Sequence, residues 1–291
     1  MRYIYFMSEH KAYIYSTNPL DAADGKWDYE LLRLSFERNH VEQIVVTSIP
    51  KKDRAFVVIP GQGNAGNEEQ ISKELKNLKR VVLFITGDES GLFDVDAIEH
   101  GNISIWVQYP HEKHAKYNKF FIGVPQHLKN NLPNYPIKEH DIYFGGQITH
   151  QRRQELAQAM SRMKNALYCP TEAFAQGDPP REYYRKLASA KVAPAPSGAQ
   201  VIDSFRFFEA IEMLTLPIGD RRDAKGKETN YYDYVYGHSI PAELTHDWNE
   251  LPKIYSELMN DYPANLHQIV CWWIKYKRDF SFRIMRELNA F

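Results

Sequence analysis

Three groups of residues carry chemistry by type and spacing. In the stretch 182–220, a proline-rich loop ends in Ser197-Gly198, and Asp203-Ser204 then precede a helix bearing Arg206 and Glu209. Asp203 or Ser204 is placed to cap that helix. Its first N–H groups and its dipole favour an anion. Arg206, in the first turn, opposes the dipole, and a bound diphosphate would give that placement a reason. Glu209 lies beside Arg206 on the helix surface, either as its ion-pair partner or as an acceptor for ribose hydroxyls.

The second group is Gly145-Gly146-Gln147 with Arg152 and Arg153 a few residues on. Small glycines let backbone N–H groups approach a phosphate, and an arginine can neutralise it. The third is Gly87-Asp88-Glu89-Ser90-Gly91, where Asp88 and Glu89 are candidates for a general base that takes a hydroxyl proton. Gly-Asp is also ordinary turn chemistry. His10, His111 and His114 are alternative bases, and Trp106, Tyr109 and Tyr117 offer flat faces to a sugar ring or a nucleobase. The loop Gly61 to Gly66 lacks the Lys-Ser/Thr of a P-loop and the acidic ribose ligand of a dinucleotide fingerprint, so it reads as a cleft loop.

Alternating strands and helices position these groups. Strands are expected at 1–7, 42–49, 54–60, 81–86 and 103–108, with a helix at 67–79 whose Ile71, Leu75 and Leu78 recur at helical spacing. Residues 125–140, with Pro125, Pro133 and Pro136, read as a linker. A second alternation follows, with strands at 141–144, 191–195 and 216–219 and helices at 150–163, 180–189 and 204–214. Two tandem α/β series imply two doubly wound, Rossmann-like lobes facing across a cleft, with ligand loops at the carboxyl ends of the strands. The expected division is 1–130, 136–262 and a C-terminal helix at 265–291 that packs back on the first lobe.

Composition narrows the function. Lys plus Arg number 36 against 37 Asp plus Glu, which removes the broad positive field of a non-specific nucleic-acid binder. The two cysteines, Cys169 and Cys271, have no metal-ligand spacing, and no cluster of His, Cys or carboxylates demands a metal. No apolar stretch reaches the roughly 20 residues of a membrane helix, so the expected location is cytoplasmic.

The run Tyr183-Tyr184-Arg185-Lys186-Leu187-Ala188-Ser189-Ala190-Lys191, then Ala193-Pro194-Ala195-Pro196-Ser197-Gly198, Asp203 to Ala210 and Leu216-Pro217-Ile218, resembles the core of exostosin-like glycosyltransferases. The segment Tyr143 to Arg153 is similar to the strand, glycines and arginine that open the C-terminal lobe of that family. The resemblance implies a GT-B fold and inverting transfer of a hexosyl or pentosyl group. It places a nucleotide-sugar donor, a UDP-sugar, on the C-terminal half and requires no further cofactor. The acceptor is a saccharide or glycoconjugate, or a hydroxymethylated base in DNA, where Arg221-Arg222 and Lys225-Lys227 would meet phosphates. The alternative is a non-catalytic module that binds a nucleotide sugar or carbohydrate.

Overall fold

The computed structural model describes residues 10–16, 28–133, 137–173 and 176–290. The strand expected at 1–7 and the linker residue Pro136 lie outside them. The chain forms two compact units, one of Met1–Ile122 with Tyr276–Phe291 and the other of Gly123–Lys275. The first boundary therefore falls at residue 122 rather than 130, and the C-terminal helix is shared at residue 276.

Unit 1 is built on a six-stranded parallel sheet. Its order is β2 (Glu42–Val46), β1 (Lys11–Tyr15), β3 (Lys52–Pro60), β4 (Leu78–Thr86), β5 (Ile103–Gln108) and β6 (Asn118–Phe120). The central strands β3 and β4 are apolar on both faces, as a parallel sheet covered on both sides requires. Alternation along them sorts the side chains. Val57, Ile59, Leu83 and Ile85 join Tyr13, Tyr15, Ile71 and Leu75 in one core cluster. Phe56 and Phe84 point the other way, where they meet Phe36 of α1 (Glu30–Arg38). The short helix α2 (Gly61–Asn64) and α3 (Glu68–Leu75) connect β3 to β4.

Unit 2 holds a five-stranded parallel sheet. Its order is β11 (Glu243–Thr245), β10 (Leu216–Asp220), β9 (Ala190–Ala195), β7 (His140–Gln147) and β8 (Ala166–Thr171). Between strands run α4 (Gln151–Met160), α5 (Pro180–Ala188), α6 (Phe205–Glu212) and α7 (Tyr231–Tyr236), followed by α8 (Leu251–Met259). The register of β7 with β8 continues through Gly145↔Cys169 to Gln147↔Thr171. The two glycines, just past the strand expected at 141–144, are thus part of the strand's last residues.

The final helix α9 (Tyr262–Asn289) serves both units. In unit 2, Trp273 stacks near Phe208 and donates from Nε1 to Glu212 at 2.7 Å. In unit 1, Phe280 stacks on Phe120, and the Glu287 carboxylate accepts from Trp106 Nε1 at 2.8 Å and from the Ser104 hydroxyl.

Candidate functional site

The carboxyl end of the unit 2 sheet collects the arginines and glycines. Gly146, at φ 152°, is in a conformation that favours glycine, and an added Cβ would fall 2.2 Å from Arg206 Nη2. The Arg206 guanidinium therefore lies close against the backbone of β7. Its Nε donates to the Gly145 carbonyl at 2.9 Å, and the cation sits 5.5 Å from the centre of the Phe144 ring. Ser204 is the N-cap of α6 but makes no side-chain cap hydrogen bond, so its hydroxyl is not what starts this helix. Asp203 instead accepts from the Ser204 N–H at 3.1 Å and from the Tyr231 hydroxyl at 3.2 Å.

Two adjacent arginines on α4 have opposite fates. Arg152, 1% exposed, donates to both oxygens of Asp220 and to Glu155. Asp220 also accepts from the Ser197 N–H, the Arg222 N–H and Trp248 Nε1 at 3.0 Å. This buried pair is saturated, so Arg152 is an internal brace and not the phosphate ligand expected for it. Arg153 has no carboxylate partner among the described residues. Its Nη1 donates to the Gln147 carbonyl at 3.1 Å, its Nη2 to the Ser197 carbonyl at 3.3 Å, and its buried Nε has no partner among the described residues. Burial, and then the like charge of Arg206, pushes its pKa down to about 9, which leaves it cationic at neutral pH.

Two residues in contact with Arg153 also hold buried polar atoms without partners among the described residues, the Ser197 hydroxyl and Nδ1 of His150. Ser197 is fully buried, and its carbonyl accepts from both Arg153 and His150. Next to it, a side chain on Gly198 would meet the Val201 carbonyl at 2.9 Å. Each orphaned polar group in an apolar setting costs about 1–3 kcal/mol, so several in one place make this the candidate site.

Glu209 is not an open acceptor. It is 5% exposed, and its two oxygens take the hydroxyls of Tyr183 at 2.9 Å and Tyr184 at 2.8 Å. Burial raises its pKa, opposed by the Tyr184 bond and by the charge of Arg206. Expected as a ribose ligand or as a surface partner for Arg206, it is instead a buried anchor behind that arginine.

In unit 1, Asp88 accepts from the N–H groups of Leu92 at 2.9 Å and Phe93 at 3.1 Å and is 1% exposed. It is a turn staple, which removes it as a base. Gly61 allows its packing, since a Cβ there would lie 2.8 Å from that of Asp88. Glu89 is half-buried, and burial raises its pKa. Asp28 has no local signal in the sequence. It accepts from the Tyr109 hydroxyl at 2.9 Å, and burial pushes its pKa up to about 6. Tyr109 itself is held at φ 52°. Trp106 and Tyr117 are engaged by Glu287 and Asp96, and His114 is a buried ring whose pKa falls to about 4 through burial. His111 lies against the Glu89 carbonyl at 3.1 Å. None of these aromatic faces is arranged as an open stacking platform.

Among the described residues no group of three or more His, Cys, Asp or Glu could hold a metal ion, and no helix is long and apolar enough to cross a membrane. The fold defines an α/β protein of two parallel-sheet, Rossmann-like units. No family model and no curated protein matches the chain, so the exostosin resemblance gains no support from those comparisons. Among solved structures the chain is similar to HepE of Anabaena in complex with UDP and glucose, at a TM-score of 0.44 and 9% identity over 97% of each chain. The same protein in complex with UDP gives 0.41 and 9%, again over 97% of each.

Proposed function

We propose that this chain is a glycosyltransferase that binds the diphosphate of a nucleotide-sugar donor in unit 2, against Arg153 and Arg206. The observation that supports this reading best is Arg153 itself, a buried cation without a carboxylate partner among the described residues, set beside a second arginine and several orphaned polar atoms. Burying an unpaired charge is strongly unfavourable, and an anionic ligand supplies the missing charge.

In the reaction the acceptor oxygen bonds to the anomeric carbon as the bond from that carbon to the donor phosphate breaks. The electron pair leaves with the diphosphate, where two fixed guanidinium groups stabilise the developing charge. Attack from the face opposite the leaving group inverts the configuration. A carboxylate accepts the acceptor proton; Glu89 keeps that candidacy and Asp28 joins it. A saccharide acceptor is favoured over DNA, because Arg221 of the basic run is tied to Asp233 at 3.3 Å. A UDP-sugar is the first donor to test.

A thermal-shift panel of nucleotide sugars tests the donor. A ligand at 100 times its Kd adds about 2.7 kcal/mol to stability, and Arg153→Ala and Arg206→Ala should erase that gain. Release of sugar from the bound donor, or transfer to a saccharide, then separates an enzyme from a binding module. Ligand stabilisation that survives both substitutions would place the donor elsewhere.

A further inference from the structure

We propose that His150 is a proton-coupled ligand of the anion site, taking a proton from solvent onto Nδ1 as phosphate binds and donating it to a phosphate oxygen. The inference rests on the diphosphate reading above and adds to it a residue and a pH dependence.

The geometry fixes the tautomer. His150 Nε2 lies 3.0 Å from the Ser197 carbonyl, which can only accept, so Nε2 carries the hydrogen. In the neutral ring Nδ1 is then a bare lone pair. It is buried and has no partner among the described residues, and the side chain makes no cap on α4, although His150 is the N-cap residue. The ring shares the Ser197 carbonyl with Arg153 Nη2, so His150 is a direct neighbour of Arg153, whose Nε is likewise buried without a partner among the described residues.

A lone pair repels a phosphate oxygen, whereas an N–H bonds to it. Protonation therefore makes the ring a third donor beside the arginines. The charged groups nearest His150 are Arg153 and Arg152 on α4 and Asp220 on β10. In the free protein burial, and then Arg153, hold the imidazole below its ordinary pKa, so the ring is neutral at pH 7. A phosphate beside it reverses that balance and raises the pKa. The sign follows: binding takes up to roughly one proton in the interval between the free and bound pKa values, and affinity falls there by as much as about tenfold per pH unit as pH rises.

Calorimetry of the full chain with inorganic pyrophosphate and with UDP, in buffers of different ionisation enthalpy from pH 6 to 8, reads this directly. His150→Gln keeps a donor for Ser197 but cannot titrate, and subtracting its proton count removes the contribution of the ligand's own phosphates. The wild type should take up an extra fraction of a proton and lose affinity with pH more steeply than H150Q. Equal proton counts and equal slopes would overturn the role of His150 and leave the diphosphate site standing. If pyrophosphate, UDP and every nucleotide sugar of the panel fail to bind the wild type, the diphosphate reading falls and this one with it. Nitrogen chemical shifts of His150 in the wild-type complex report its protonation without a variant: a ring that stays neutral with pyrophosphate bound refutes the proposal.

Discussion

The carboxyl ends of the two sheets use their polar groups differently. In unit 1 the carboxylates and Gln108 are satisfied internally, Asp88 by two backbone N–H groups, Asp28 by Tyr109, and Gln108 by the Gly87 N–H and the Asp28 carbonyl, while Asn64 Oδ1 and His114 Nε2 are buried there without partners among the described residues. In unit 2 the saturated Arg152–Asp220 pair lies beside a cluster whose atoms lack partners among the described residues. Satisfied groups stabilise a loop; unsatisfied ones hold binding energy in reserve for a ligand. On the proposed function, the strand ends carry mostly scaffold in unit 1 and recognition in unit 2.

Four substitutions test that division. The largest effect is expected from Asp220→Ala, which strips Arg152 of its main counter-charge and should destabilise the protein by about 3–5 kcal/mol in denaturant unfolding. Next, Arg206→Ala should lower kcat about 10²–10³-fold, or about 2.7–4 kcal/mol of transition-state stabilisation, with unfolding little changed. Asp88→Asn sharpens the contrast from the unit 1 side. Losing one charge-assisted acceptor should cost about 1–3 kcal/mol of stability, with kcat within a few-fold of wild type; a large loss of kcat in a folded variant would return Asp88 to the chemistry. The smallest shift is expected for Arg153→Met, which removes a buried unpaired cation. Its unfolding free energy should stay within about 1 kcal/mol of wild type or rise, while pyrophosphate binding disappears. A loss of several kcal/mol would make Arg153 scaffold and break the comparison.

Periodicity and β-branched runs made most of the strands legible, and 103–108 is the strand β5 residue for residue. The edge strand β8 (Ala166–Thr171) escapes such reading because it is only partly buried and contains Pro170, so it lacks an apolar run. At the site, Arg206 and Gly146 stand out by type and position. Nothing local separates Arg152 from Arg153. Neighbours on a helix point about 100° apart, and what distinguishes them is Asp220, 68 residues from Arg152. Asp28 was invisible for the same reason, since Tyr109 lies 81 residues away. In the sequence Glu209 has the position of a surface acceptor, because Tyr183 and Tyr184, which bury it, precede it by an intervening strand and loop.

Asp220 also bears on the order of events during folding. It joins α4, the Ser197 loop and Trp248, partners 68, 23 and 28 residues distant, through one carboxylate. Closing such loops is slow and unfavourable until several contacts form together. The brace can therefore be completed only after the chain has emerged as far as Trp248, and a nascent unit 2 that stops short of it carries the Arg152–Asp220 pair without the Trp248 donor. On the proposed function, competence to hold the diphosphate is a late property of the folding chain, acquired with the closure of the whole sheet rather than with the glycine strand that first suggested it.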